Sequence, residues 1–184
     1  MSEHGHIDPS NRKIAVLIAV LAAFLAISEM GGKSAQTEVL TQQVQVSSTW
    51  AFFQAKTVRQ TVVRTAAEAA EAPYKDGAAM PPGVKDQVEQ WRKTAQRYET
   101  EPATNEGRKE LMAQAKSHEE KRENARSAYH LFEYGSAAFQ LAIVLASAAV
   151  VTSVMWLGFI AGGLGLLGVV FTLTGFLAPT LIHL

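Results

Sequence analysis

Hydrophobic and polar positions along this chain fall into separate blocks. Residues 134–184 contain no Asp, Glu, Lys or Arg, a run of 51 uncharged residues. As one helix the run would reach roughly 75 Å at about 1.5 Å per residue. A bilayer's hydrocarbon core is only about 30 Å thick, so the pattern predicts a helical hairpin in a membrane. The turn is expected near Thr152-Ser153-Val154-Met155-Trp156, with Trp156 at the headgroup level where amphipathic rings are favoured. This gives spans at 135–153 and 156–177, the latter stopped by Pro179. An earlier apolar tract follows Arg12-Lys13 and reads as a first span over 14–30 if Glu29 reaches the interface. It opens like a secretory signal, but Ser28-Glu29-Met30-Gly31-Gly32 offers no small-x-small cleavage site. An uncleaved anchor behind a short tail, 1–13, is the expectation.

Between these spans, residues 33–133 read as a helical arm. Leu40, Val44, Ser47, Ala51, Ala55, Val58, Val62, Thr65 and Ala69 recur at helical spacing and predict one long outgoing helix over 33–72, with this stripe as its core face. Val46, Trp50 and Phe53 form a second patch beside it. Pro73 and the Gly77 to Gly83 segment turn the chain over 73–83. Val84, Val88, Trp91, Ala95 and Tyr98 then begin a return leg over 84–133, broken near Pro102. From Leu111 through Ala115, His118, Arg122, Ala125, Tyr129, Phe132 and Ser136 to Phe139 a four–three rhythm runs straight into the second span. The repeat is heptad-like and favours a left-handed supercoil. The expected fold class is therefore an all-α membrane protein, with three transmembrane helices and a long helical-hairpin, coiled-coil-like extramembrane arm between the first two.

Small residues recur along the spans at steps of three and four. They are Ala15, Ala19, Ala22 and Ala26 in the first; Ala138, Ala142, Ala146, Ala149 and Ser153 in the second; and Gly158, Ala161, Gly165, Gly168, Thr172 and Gly175 in the third. Helices in lipid gain nothing by hiding apolar surface from water and associate through close backbone approach, which small residues permit. These stripes are expected to be helix-packing faces. Glu29 is the one ionisable residue that could lie within a span, hence a possible intramembrane charge. The competing reading is a carboxylate at the bilayer edge, hydrated or paired with Lys33 one turn on.

Composition removes several function classes. Mean hydropathy of +0.04 conceals the segregation. The arm carries 15 Lys/Arg and 14 Asp/Glu in a mixed pattern, whereas nucleic-acid binding needs a one-signed basic surface. There is no cysteine, which excludes disulfides, thiolate metal sites and thiol catalysis. His4-x-His6 supplies two metal ligands in a tail, too few for a closed site. His118 sits on a core stripe as a structural histidine. Lys116, Lys121, Arg122 and Arg126 are matched by Glu119, Glu120 and Glu123 as a solvated face. No HExxH, phosphate-binding glycine loop, GxSxG or Ser-x-x-Lys motif occurs. No enzyme activity, cofactor, metal or small-molecule substrate is expected.

Two blocks carry a resemblance. Gly31-Gly32-Lys33-Ser34-Ala35-Gln36-Thr37-Glu38 is followed by Trp50-Ala51-Phe52-Phe53-Gln54-Ala55-Lys56-Thr57-Val58-Arg59-Gln60. Together with His130-Leu131-Phe132-Glu133-Tyr134 and Ala138-Phe139-Gln140, they resemble a bacterial family, the domain of unknown function numbered 4337. The resemblance implies a small bacterial inner-membrane protein with one span, a helical arm and two further spans. It carries over no activity or catalytic residue. On the helix, Trp50 and Phe53 share one face while Lys56 and Arg59 share another with Phe52. That signature fits an arm contacted from several sides by copies or a partner, and equally fits aromatics filling the arm's own core.

The expected partners are membrane lipid and either the chain itself or another membrane protein. Two functions compete: a homo-oligomeric scaffold or accessory protein, and an oligomeric pore or transporter subunit. The spans offer few polar side chains for a lumen, which favours the scaffold. Arg12-Lys13 favours a cytoplasmic N-terminus and a periplasmic arm.

Overall fold

The computed structural model describes residues 9–75 and 77–180, and the His4/His6 pair lies outside them. The described residues are helical, with no strand. Helix α1 spans Pro9–Glu71, α2 Pro82–Glu99, α3 Arg108–Thr152 and α4 Met155–Leu177. A single 3₁₀ turn, Ala72–Tyr74, follows α1 and is initiated by Pro73, whose missing N–H costs nothing in a first turn. Gly31-Gly32 does not interrupt α1. Pro82 at the first turn starts α2. The tight α3–α4 link places Ser153 at φ 57°, a left-handed value that closes the turn. Three helices (α1, α3 and α4) are long and apolar enough to cross a membrane.

The chain divides into two compact units. The first comprises the described residues up to Leu40 and from Arg122 onward. Its interior is built from small side chains: Ala138, Ala142, Ala146 and Ala149 of α3 and Ala161 of α4 are buried, with Leu21 of α1 and Phe139. Gly165, Gly168, Thr172 and Gly175 continue the buried stripe of α4. Val16, Val20, Leu141, Val144, Phe159, Leu166 and Leu173 point outward. Small inside and large outside is the arrangement lipid selects, since the lipid tails satisfy the large side chains and only close approach rewards the small ones.

Aromatic rings seat in glycine gaps. A Cβ on Gly168 would come within 2.8 Å of the Phe139 ring, and one on Gly31 within 2.7 Å of the Phe132 ring. A Cβ on Gly175 would meet the same Phe132 ring at 3.1 Å, and one on Gly165 would collide with Leu21. Phe132 is thus clamped between α1 and α4. Beside it, Ser28 Oγ donates to the Phe132 carbonyl at 3.0 Å and Thr172 Oγ1 to the Gly168 carbonyl at 2.8 Å. Both residues are buried, and hydrogen bonding inside the bundle removes the cost of placing their hydroxyls in an apolar region.

Five expected packing positions differ. Ala15, Ala19, Ala22 and Ala26 are all exposed in the single chain; α1 packs instead through Leu21, Ser28, Gly31 and Gly32. The reason is Phe132, which needs the Gly31-Gly32 gap and so fixes the rotation of α1. A Cβ on Gly158 would meet nothing within 4 Å, so the buried stripe of α4 begins one turn later, at Ala161.

The second unit, Thr41–Lys121, brings together the later part of α1, all of α2 and the start of α3. Val88 and Ala95 of α2 and Leu111 and Ala115 of α3 are buried there, with Val46 and Ala67 of α1. The face of α1 expected to be its core is instead outside. Leu40, Val44, Val58 and Val62 are 62, 65, 63 and 61% exposed, and Ser47, Ala51, Ala55, Thr65 and Ala69 are exposed with them. The inward face carries Val46, Trp50, Phe53, Lys56, Gln60 and Ala67. It faces α2 and α3 segments rich in Arg and Glu, and polar partners draw the Lys and Gln face inward.

Candidate interaction surface

The inward face of α1 in the second unit is a closed hydrogen-bonded seam. Arg108 at the start of α3 reaches Gln60 Oε1 at 2.6 Å, Glu99 Oε2 at 2.7 Å and Thr57 Oγ1 at 2.9 Å, with its guanidinium 5.1 Å from the Phe53 ring centre. Gln60 Nε2 donates in turn to Glu99 Oε2 and to the Ala95 carbonyl. The Gln60 hydrogen bond, followed by the Arg108 charge, holds the Glu99 carboxyl below its ordinary range. Among the described residues every buried side-chain nitrogen and oxygen has a partner, the condition for a polar interior to hold.

Three of the four residues expected to form an interaction face on the arm belong to this seam. Trp50 Nε1 donates to Glu119 Oε1 at 2.9 Å, and its ring meets Phe53 edge-on at 5.2 Å. Lys56, only 5% exposed, sits 3.3 Å from Glu101 and 3.7 Å from Glu106, between the rings of Phe52 and Tyr98. An ammonium so enclosed is spent on the chain's own loop before α3 and cannot meet a partner. Arg59 alone remains exposed. The aromatics therefore fill the unit's own interior, one of the two roles their spacing allowed. His118 accepts a structural part as expected: its Nδ1–H donates to Gln42 Oε1 at 2.7 Å.

What the second unit offers outward is the apolar face of α1. Between Glu38 and Arg64 that helix holds two charges, Lys56 and Arg59, and Lys56 is turned inward. A helix face meant for water carries charge along its length. Here Val44, Val58 and Val62 stand exposed among Ser, Thr, Ala and Gln.

In the first unit, Glu29 is exposed beside the interior. Gln140 Nε2 approaches its Oε1 at 3.5 Å, and no ion pair with Lys33 forms among the described residues. No cluster of three or more His, Cys, Asp or Glu able to hold a metal occurs among the described residues.

No curated protein and no solved structure matches the chain. One family model, described as a domain of unknown function (DUF4337), matches residues 10–178, and the chain belongs to that family.

Proposed function

We propose that this protein is a non-enzymatic, homo-oligomeric scaffold of the bacterial inner membrane, anchored by three spans and self-associating through the outward face of α1. Its segment from 33 to 133 is an extramembrane helical arm, with the N-terminus cytoplasmic and the arm periplasmic. The observation that carries the reading is the inverted amphipathicity of α1: Lys56 and Gln60 inside, Val44, Val58 and Val62 outside.

Charge decides between occupants of that face. A helix lying on lipid keeps Lys and Arg along its polar side to meet the headgroups, whereas this helix has only Arg59 free over 25 residues. A second copy suits it better. Copies inserted in one membrane run parallel, so each position meets its own counterpart, and a face with Arg59 as its one free charge suffers little like-charge repulsion. Size sets a further condition. From Val44 to Ala69 the face is about 39 Å long and about 10 Å wide, roughly 800 Å² over two copies. A stable interface clears about 1,000 Å². The exposed Ala15, Ala19, Ala22 and Ala26 face of the same helix supplies the remainder by close approach in lipid.

The chain has no cysteine, so engineered thiols report without background. Val44→Cys, Ala51→Cys and Val58→Cys should each form covalent dimers on mild oxidation in native membranes, while Ala113→Cys on the exposed side of α3 should not. Monomers at all three α1 positions, with the thiols shielded from water-soluble reagents only when lipid is present, would show a lipid-covered helix and overturn the scaffold.

A further inference from the structure

A groove of about 450 Å³ opens in the first unit between α1 and α3. Glu29 and Lys33 line it from α1; Tyr129, Glu133 and Gln140 line it from α3, and Phe132 forms its wall. We propose that it binds the headgroup of a phospholipid carrying a primary ammonium beside its phosphate, the ammonium between Glu29 and Glu133 and the phosphate on Lys33. The site needs only that the spans lie in a bilayer.

Three observations support this ligand. The groove follows α3 from Gln140, inside the uncharged run, to Tyr129 beyond its end. That is about 16 Å along the helix, so it joins acyl-chain depth to headgroup level as an amphiphile does. Its charges are of both signs and do not neutralise each other, since Lys33 makes no ion pair with Glu29 or Glu133 among the described residues. A zwitterion can satisfy both signs at once, and each carboxylate–ammonium contact is a charge-assisted hydrogen bond strengthened by the nearby lipid. Finally, Glu133 is already oriented. The Tyr129 hydroxyl donates to its Oε1 at 2.8 Å, and the His130 ring lies 3.3 Å from Oε2.

The chemistry also sets selectivity. A primary ammonium has three N–H donors for the two carboxylates and the Gln140 amide oxygen. A quaternary choline has none, and a glycerol headgroup has no cation.

The test is native mass spectrometry of the full chain with phosphatidylethanolamine, phosphatidylcholine or phosphatidylglycerol added in turn. Phosphatidylethanolamine should be retained about tenfold better than either, the effect of one charge-assisted hydrogen bond. Glu29→Gln with Glu133→Gln, and separately Lys33→Met, should remove the preference while leaving helicity unchanged, because all three side chains are exposed. Free phosphoethanolamine in excess should not displace the lipid, since the acyl chains contribute to binding. Equal retention of the three lipids, a preference that survives both variants, or displacement by the free headgroup would each overturn the proposal.

Discussion

Phe132 and Phe139 show how a single side chain sets helix spacing in a lipid-facing bundle. Each is buried, and each occupies the volume a neighbouring glycine leaves empty. A methyl group on Gly168 would lie 2.8 Å from the Phe139 ring, which is fully buried and has no room to yield. Gly168→Ala should therefore lose about 1–3 kcal/mol, the usual cost of overpacking, read as a lower melting temperature in detergent. Gly163 is the matched control, because a Cβ there meets nothing within 4 Å. Gly163→Ala should be neutral or slightly stabilising through helix propensity. Equal effects at the two positions would mean that the α4 stripe does not pack on α3. The same logic explains Ser28 and Thr172: small hydroxyls fit where helices approach closely, and backbone carbonyls satisfy them.

At the scale of elements, the junction of α1, α2 and α3 in the second unit is polar and therefore pH-sensitive. Glu99 is held below its ordinary value of 4.5 chiefly by Gln60 and then by Arg108. A carboxyl depressed in the folded state stabilises it above the unfolded value, and that contribution is lost as pH falls through the folded one. Glu110, lowered by the Thr100 hydroxyl and by backbone N–H groups, adds to the same window. Near-ultraviolet circular dichroism from Trp50 and Trp91 should thus weaken as pH drops below 4.5, and Glu99→Gln should show a smaller acid-dependent change. An identical acid transition in the variant would remove Glu99 from the cause. This junction also marks how far the sequence could be read. The four–three rhythm from Leu111 to Phe139 spans hydrophilic and lipid-facing stretches without a break, so the unbroken course of α3 was legible. So was the α4 stripe, because lipid leaves small residues only one use. The rotation of α1 was not. Its two stripes recur at the same helical spacing, and counting apolar residues favours Val44, Val58 and Val62 as core. What decides against that is non-local: Arg108, Glu99 and Glu101 lie 40 or so residues away and pull Gln60 and Lys56 inward. The Lys56 pairing with the loop before α3 has no local signal in the chain at all.

For the whole molecule, the orientation proposed above rests on charge near the first span. Arg12-Lys13 stands directly before the apolar tract, and basic residues close to a span hold that end in the cytoplasm. Lys121, Arg122 and Arg126 lie before the second span but belong to a segment of about 100 residues, and long segments translocate with little regard to charge. The α3–α4 link carries no charge to oppose this. In that proposal a single crossing puts the arm on the far side from the N-terminus. Gly77 is the place to ask, since it is exposed, has φ 92° and has open space around it; such sites tolerate insertion. Alkaline phosphatase, which folds only in an oxidising compartment, should be active when inserted there, and a green fluorescent protein inserted at the same site should stay dark. The opposite pair of results would place the arm in the cytoplasm and make Lys121, Arg122 and Arg126 the retained charges. The proposed self-association through α1 does not depend on that outcome, because parallel copies would present the same face on either side of the membrane.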